Sequence, residues 1–329
     1  MQVHRNPEAL PIFSNAVITI GTFDGVHTGH QQIIQQLKDE AHRINGETVI
    51  VTFHPHPRKI IGSASGEIKL INTLEEKTEL LERSGIDHMV IVPFTEAFSR
   101  LTAQQYVQEF LVGKFHPNTV IIGYDHRFGQ GRKGDYHLLE DLSLKYGYIL
   151  KEIPVHVLHA ISVSSTRIRT AIAKADIKAA NELLGYTFFF QGTVIEGNKL
   201  GRILGYPTAN LKIENHEKLI PGNGVYAVEL AIWDPLSGSW REGEESFQTK
   251  NHPYRGMMNI GMRPTIGVSD LVIEVNIFDF FQDIYGQKIR VYVKSYMRPE
   301  LKFDGLDALK EQLSIDKKEA EMLLKTQTP

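Results

Sequence analysis

The sequence has 329 residues but no cysteine, no long apolar run and no large excess of either charge. The lack of cysteine excludes disulfides, thiolate nucleophiles and cysteine-ligated metal sites, and it is typical of a reducing cytoplasm. No apolar run reaches the roughly 18 residues of a membrane span, and the first residues do not resemble a signal peptide. The formal net charge of −3 provides no basic field for nucleic acid or an anionic membrane. We therefore expect a cytoplasmic chain that binds small molecules at local sites. Its oligomeric state stays open.

The first half alternates short apolar runs with helix-period segments. Predicted strands cover residues 15–21, 47–53, 88–94, 118–124 and 146–154. Predicted helices cover residues 27–44, 74–84, 102–112 with a stop at Gly113, and 134–145. Because several strands are apolar on both faces, helices should cover both sides of a parallel, doubly wound, Rossmann-like sheet. Ligands of such a sheet bind outside the carboxyl ends of its strands.

The pattern changes in the second half, and we place the domain boundary at about Gly185. Two helices, 166–173 and 176–184, lead to it. Strands are then predicted at residues 188–195, 224–233, 255–260, 272–279 and 288–297. With no helices between these strands, residues 186–329 should form a mainly antiparallel β-barrel followed by a helix over 306–325. The polar stretch 236–254 is predicted to be a long exposed loop.

Residues with binding chemistry follow the first strand, where the sheet should bind ligands. They are Gly21, Phe23, Asp24, Gly25, His27, Gly29 and His30. The two histidines stand three apart at a helix start, so their rings share one face beside unpaired backbone N–H groups. The glycines allow the backbone to approach a triphosphate, and the helix N-terminus favours an anion. Such a site suits nucleotidyl transfer, which needs aligned reactants and stabilised charge rather than a protein nucleophile.

A second polar turn follows the last strand of the first half. It contains Ser164, Ser165, Thr166, Arg167 and Arg169. The two arginines can clamp the β- and γ-phosphates of a nucleotide, and the hydroxyls add further donors. Solvated arginines on an ordinary helix are the alternative interpretation.

The second half carries a loop of regularly spaced glycines with basic neighbours. The residues are Gly197, Lys199, Gly201, Arg202 and Gly205, and they can cradle phosphates although no P-loop pattern is present. Thr208 and Asn210 project on one side of an extended segment and offer neutral oxygens to Mg²⁺. Glu274 lies in a predicted strand, where it can act as a general base or be an ordinary solvated side chain.

Two sets of motifs resemble known families. GTFDGVHTGH at 21–30 resembles the HxGH signature of the nucleotidylyltransferase superfamily, and VSSTRIR at 163–169 looks like its second signature. Four segments closely resemble a riboflavin kinase, namely GNKLGRILGYPTAN at 197–210, GVY at 224–226, NIGMRPT at 259–265 and EVNIFDF at 274–280. Both sets in this order resemble the prokaryotic bifunctional riboflavin kinase/FAD synthetase family.

The resemblance implies two successive reactions. Riboflavin and MgATP give FMN and ADP in the barrel, and FMN with a second MgATP gives FAD and pyrophosphate in the first domain. It implies that Glu274 acts on the terminal ribityl hydroxyl, that Thr208 and Asn210 bind the magnesium nucleotide, and that Arg298 lies on the flavin side. Asp125 stands where many members carry asparagine, so this flavin contact departs from the family. Hydrophobic flavin contacts in the first domain are expected from Phe98, Tyr106 and Phe128.

Two other classes of protein remain as hypotheses. One is a flavin-sensing protein that keeps both folds with inactive sites, and it would bind flavin without releasing ADP or pyrophosphate. The other is a metal hydrolase with an accessory barrel, its zinc or iron held by His27, His30, His54 and His56. Turnover of riboflavin with MgATP separates both from the enzyme.

Overall fold

The computed structural model describes residues 1–61, 68–123, 126–153, 163–197, 200–242, 253–265 and 268–325. The chain divides into two compact units, Met1–Ser165 and Thr166–Pro329. Each unit has its own sheet, and the two sheets share no strand.

The first unit is a six-stranded parallel sheet with helices in the connections. The strands are β1 (Gln2–His4), β2 (Val17–Ile20), β3 (Thr48–His54), β4 (His88–Pro93), β5 (Thr119–Gly123) and β6 (Ile149–Ile153). The helices are α1 (Thr28–Ile44), α2 (Pro57–Ile61), α3 (Leu74–Arg83), α4 (Glu96–Ser99), α5 (Ala103–Gln105), α6 (Gly113–Phe115) and α7 (Tyr136–Tyr146). A π-helix covers Tyr106–Val112, and a 3₁₀ turn covers Gln130–Arg132.

The strand order β1-β4-β3-β2-β5-β6 makes this a doubly wound sheet, as predicted. From β2 the chain runs outward through β3 to β4 and then returns to β5 on the other side of β2. Ligands of such sheets bind at this reversal, outside the carboxyl ends of the two central strands. Both faces are buried as expected: Val49 and Val51 of β3 pack into one hydrophobic cluster and Ile50 into another. Residues 21–30 therefore leave the sheet at its expected binding edge.

Several details of the first unit differ from the sequence prediction. The short strand β1 is not predicted; it pairs with β4 at the edge of the sheet. The helix expected to stop at Gly113 continues to Phe115, because His116 rather than Gly113 takes the left-handed conformation, with φ 45°. The π-helical turns within this segment were also not predicted. Helical periodicity does not distinguish them from α-helical turns over so few residues.

The second unit consists of short helices, an antiparallel barrel and a long final helix. The strands are β7 (Phe189–Ile195), β8 (Ala209–Lys212), β9 (Gly224–Asp234), β10 (Ser239–Arg241), β11 (Tyr254–Thr265), β12 (Val268–Ile277) and β13 (Lys288–Arg298). The helices are α8 (Ser165–Ala173), α9 (Ile177–Leu184), α10 (Leu200–Ile203) and α11 (Leu306–Lys325). The bounds of α11 are those expected from the sequence.

Six strands close the barrel. The sheet order is β10-β9-β11-β12-β8-β7-β13, and β13 also pairs with β9. The ring therefore runs from β9 to β13, and β10 is attached to β9 outside it. All of these pairs are antiparallel, which confirms the predicted class. Ala320 and Leu324 of α11 pack against Ala227 and Met257 of the barrel. Burial of these side chains stabilises the helix on the strands by about 25 cal/mol per Å² of apolar surface.

The helices before the barrel make hydrogen bonds to the rest of the second unit. Asn181 of α9 donates from its side chain to the Val293 carbonyl (3.1 Å) and accepts from the Phe188 amide (2.7 Å). The Gly222 amide donates to the Ile172 carbonyl of α8 (3.2 Å). The sequence pattern placed the boundary near Gly185, whereas the compact units divide between Ser165 and Thr166.

The stretch expected to be a long exposed loop contains a strand. Strand β10 pairs with β9 and sets Trp240 opposite Trp233, with ring centroids 5.2 Å apart. The guanidinium of buried Arg290 lies 4.3 Å from the Trp240 ring centroid. Three residues are too short for a period-2 pattern, so β10 is recognisable only by its partners. Residues 243–252 lie outside the described part of the chain.

Candidate active sites

The loop of residues 21–30 has an unusual backbone. Phe23 and Val26 have φ values of 47° and 37°, in the left-handed region that residues with a side chain rarely adopt. Gly25 has φ 95°, a conformation that glycine adopts easily because it has no side chain. Gly21 and Gly29 do not have a positive φ. A residue held in such a conformation costs about 1–3 kcal/mol and persists only where its surroundings fix it. The strained residues, Phe23 and Val26, carry no sequence signal of strain.

The two predicted histidines meet at the start of α1. His27 is the N-cap residue, and its Nδ1 accepts from the His30 amide at 3.4 Å. The two rings stack with centroids 3.7 Å apart, as expected from their spacing. Burial lowers the pKa of His30 well below its usual range, and the nearby His27 and Lys77 lower it further. His30 is therefore a neutral imidazole at neutral pH, so positive charge for an anion must come from other groups.

Two buried charged side chains hold the loop in place, Asp24 within the loop and Lys77 outside it. Asp24 is 1% exposed, and its carboxylate accepts from the backbone amides of Ile71 (3.0 Å) and Asn72 (3.3 Å). Lys77 of α3 is 8% exposed and donates to the Thr22 carbonyl at 2.6 Å. Asp24 thus fixes the loop to the segment before α3. Lys77, which sequence reasoning missed, fixes it to α3 itself.

The second polar turn contacts the loop through the Ser165 hydroxyl. Ser165 Oγ donates to the Asp24 carbonyl at 2.9 Å. Ser164 and Thr166 on either side are exposed. Arg167 and Arg169 lie on α8 beyond the division between the units, and their phosphate roles stay predictions.

The aromatic residues proposed to contact flavin pack on one another. The Tyr106 ring centroid lies 4.9 Å from that of Phe128 and 6.0 Å from that of Phe98. Tyr106 and Phe128 are buried in the core, and Phe98 is half-buried. Their part in flavin binding stays a prediction. Asp125 lies outside the described residues, and the neighbouring His126 stacks on Phe128 at 5.7 Å.

A cavity of about 330 Å³ in the second unit brings together most of the residues predicted for the barrel. Its lining includes Gly201, Thr208, Asn210, Glu274 and Arg298. Arg202 and Gly205 belong to the same loop, but neither is among the described lining residues, and Arg202 is exposed. Lys199 lies outside the described residues.

Strand register explains how these side chains meet. Asn210 of β8 pairs directly with Glu274 of β12, which pairs with Asn259 of β11. Asn259 pairs with Val225 of β9, and Val225 pairs with Arg298 of β13. Directly opposed residues of antiparallel strands point to the same face of the sheet, so these five form one row, and all five line the cavity. We name them the cavity row.

Glycines and an asparagine shape the side of the cavity where phosphate binding is predicted. A Cβ at Gly197 would lie 2.5 Å from Asn210 Cγ, so a side chain there would displace the carboxamide. A Cβ at Gly201 would collide with the Tyr206 carbonyl. Asn276 donates to the Pro207 carbonyl at 2.7 Å and so holds the backbone just before Thr208. Asn276 has a sequence signal, because strand alternation places it on the same face as Glu274.

Arg298 is held by the final helix. Its Nε and Nη2 donate to the Asp316 carboxylate at 2.8 and 2.6 Å, and Asp316 is 1% exposed. Gln312 also donates to Asp316, at 2.9 Å. This bidentate pair fixes α11 against the cavity. Neither Asp316 nor Asn259 was predicted as a site residue: Asp316 lies in none of the quoted motifs, and Asn259 opens the NIGMRPT motif without any signal of which residues it faces.

Two metal sites were predicted, one for zinc or iron on four histidines and one for Mg²⁺ at Thr208 and Asn210, and the described residues can be compared with both. Among them, no three His, Cys, Asp or Glu side chains are placed to hold one metal ion. The zinc alternative on His27, His30, His54 and His56 therefore has no site in that part of the chain. The cavity instead offers the neutral oxygens of Thr208 and Asn210 beside the Glu274 carboxylate. Within the same ranges, no helix combines the length and apolar character needed to cross a bilayer.

Comparison with known proteins finds one family for each half of the chain. The FAD synthetase family matches residues 10–167, and the riboflavin kinase family matches residues 184–324. The fold and sites thus define a chain that joins a nucleotidylyltransferase-like unit to a kinase-like barrel. It belongs to the family of bifunctional riboflavin kinase/FMN adenylyltransferases.

The relatives match nearly the whole chain. The bifunctional riboflavin kinase/FMN adenylyltransferase of Listeria monocytogenes is 36% identical, over 93% of this chain and 91% of that protein. Its counterpart in Escherichia coli K12 is 34% identical, over 91% and 90%. A crystal structure titled as a macrolide-efflux protein from Streptococcus pneumoniae has 30% identity and a TM-score of 0.83, over 97% of this chain and 98% of that one.

Proposed function

We propose that the chain phosphorylates riboflavin to FMN in its second unit and transfers an adenylyl group to FMN in its first. The observation that carries the kinase assignment is the cavity row, which sets Glu274 directly between Asn210 and Asn259. The adenylyl-transfer assignment is supported by the stacked histidines at the start of α1, at the edge where doubly wound sheets bind ligands.

In the kinase reaction, Glu274 accepts the proton of the terminal ribityl hydroxyl of riboflavin. The hydroxyl oxygen forms a bond to the γ-phosphorus of ATP, and the bond from that phosphorus to the bridging oxygen breaks to release ADP. The cavity is large enough for part of such a ligand, and the Glu274 carboxylate stands in it between the amides of Asn210 and Asn259. Asn276 orients Thr208 through the Pro207 carbonyl.

The donor set on the phosphate side fits Mg²⁺. Thr208 and Asn210 supply hard, neutral oxygens, and a magnesium ion held by so few protein groups keeps water and nucleotide phosphates as its other ligands. When bound, the ion would neutralise charge on the phosphates. Thr208 and Asn210 would hold it.

In the adenylyl-transfer reaction, a phosphate oxygen of FMN forms a bond to the α-phosphorus of ATP, and pyrophosphate leaves. The protein supplies alignment and polar donors, in keeping with a site that has backbone amides and a neutral His30. His27 and His30 would contact the nucleotide phosphates. Ser165 would support the loop through the Asp24 carbonyl.

The test is chromatography of flavins after incubation with riboflavin, ATP and Mg²⁺. The wild-type chain should produce FMN and then FAD. Glu274→Gln should abolish FMN formation but convert supplied FMN to FAD at the normal rate, and His27→Ala with His30→Ala should do the reverse. Loss of both reactions in either variant would contradict the division of labour. Tight flavin binding without ADP or pyrophosphate release would identify a sensor instead.

A further inference from the structure

A buried lysine reaches the backbone of the loop that carries the two histidines. Lys77 Nζ donates to the Thr22 carbonyl at 2.6 Å and lies 3.4 Å from Thr52 Oγ1. Thr52 is fully buried in β3, and its hydroxyl also donates to the Thr22 carbonyl, at 3.2 Å. One carbonyl at the start of the loop thus receives two hydrogen bonds, from α3 and from the sheet.

This carbonyl immediately precedes the strained part of the loop. Phe23 follows Thr22 with φ 47°, and its ring lies 4.8 Å from the His30 ring, centroid to centroid. A conformation of this kind persists only where neighbouring groups hold it. The hydrogen bonds on Thr22 act at the near side of Phe23, and the Asp24 carboxylate fixes the far side through the amides of residues 71 and 72.

We propose that Lys77 is a positioning residue of the adenylyl-transfer site, an inference that rests on the proposed function of the first unit. Its ammonium group holds the Thr22 carbonyl and so keeps the Phe23 ring against His30. His30 is then fixed from both sides, by Phe23 and by the stacked His27. Lys77 also places a positive charge beneath a loop that binds phosphates while His30 itself is neutral.

The charge of Lys77 gives the proposal a pH signature. Burial lowers the pKa of Lys77 to about 8, although the nearby Asp24 carboxylate opposes this shift. Another titratable group that interacts with Lys77 is His30, on which His27 stacks, and Glu76 is adjacent to Lys77 in sequence, whereas the contact from β3 is with the uncharged Thr52. Lys77 is therefore charged at pH 7 and loses its charge as the pH rises through about 8.

The experiment compares Lys77→Met, Lys77→Arg and a matched control, Lys38→Met. Lys38 also donates from Nζ to a backbone carbonyl, that of Ser84 at 2.9 Å, but far along α1 from the loop. Conversion of FMN to FAD is measured from pH 6 to pH 10, with riboflavin phosphorylation by the same sample as an internal reference. Thermal unfolding of each variant reports whether the first unit still folds.

Lys77→Met should lower kcat for FAD formation by about 10- to 100-fold, the order of loss expected from a slight misplacement of reacting groups. Riboflavin phosphorylation should not change, and Lys38→Met should stay near the wild-type rate in both reactions. The wild-type rate should fall as the pH passes about 8. Because arginine stays protonated, Lys77→Arg should exceed Lys77→Met and lack this fall.

Three results would overturn the proposal. The first is a Lys77→Met rate within twofold of wild type. The second is an equal loss in Lys77→Met and Lys38→Met, which would indicate general damage to the unit. The third is an unchanged alkaline fall in the residual activity of Lys77→Met, which would assign the titration to another group. If the wild-type chain makes no FAD from FMN and MgATP, the proposed function itself fails, and that outcome is distinct from all three.

Discussion

Gly197→Ala tests the geometry of the kinase cavity most directly. A Cβ at this position would lie 2.5 Å from Asn210 Cγ and 2.7 Å from Asn210 Oδ1. Carbon atoms in contact are normally separated by about 3.5 Å, so the carboxamide must move by about 1 Å. The Asn210 side chain can rotate away from the new methyl group, so the barrel should still fold. A 1 Å misplacement in a catalytic site lowers the rate by about 100-fold, and we expect that loss in kcat/KM for riboflavin phosphorylation.

The assay measures ADP release with riboflavin and MgATP, and the conversion of supplied FMN to FAD serves as the internal reference. The matched control is Gly305→Ala, since a Cβ there meets no atom within 4 Å and φ is not positive. Gly197→Ala should lose kinase activity alone and keep its thermal unfolding midpoint. A wild-type kinase rate in this variant would refute the idea that the Asn210 carboxamide must occupy its observed place.

Two further predictions concern stability. Asp316→Ala should lower the free energy of unfolding by about 3–5 kcal/mol, because it leaves the charge of the Arg298 guanidinium without its carboxylate partner. Glu321→Ala on the same helix should cost below about 1 kcal/mol, because the half-buried Glu321 makes only a 3.8 Å ion pair with Lys317. Denaturant unfolding measures both losses, and equal losses would contradict the argument. Hydrogen bonding from Arg43 lowers the pKa of Glu40 from 4.5 to about 2. Its stabilisation should therefore be complete above pH 4.5 and lost as the pH falls through about 2. Glu40→Gln should remove this part of the pH dependence of unfolding, and an unchanged acid profile would show that Glu40 contributes nothing.

Regular elements of both units were predictable because their patterns are local. In β3, apolar residues on both faces indicate a sheet covered on two sides. The structure confirms it, because Val49 and Val51 pack into one hydrophobic cluster and Ile50 into another. The three-residue strands β1 and β10 were missed because they are too short to show a period. Only their partners, β4 and β9, determine where they lie.

The sites were predictable where one segment supplies the chemistry. His27 and His30 meet because they are three residues apart in one helix turn. Lys77, Asn259 and Asp316 were missed because each reaches its site through tertiary contacts with residues distant in sequence. The strain at Phe23 was also missed, since any residue can be forced into a left-handed conformation when buried side chains hold the backbone on both sides.

The closed ring of strands makes the chemistry of the cavity row depend on the same backbone ladder that holds the barrel together. If β12 slipped by one residue against β8, Ile273 or Val275 would replace Glu274 opposite Asn210. An open sheet relieves such a slip at its free edge, whereas a ring transmits the mismatch to every neighbour. Partial opening of the barrel and loss of the carboxylate from its place are therefore one event, and hydrogen exchange of the β8 and β12 amides would report both.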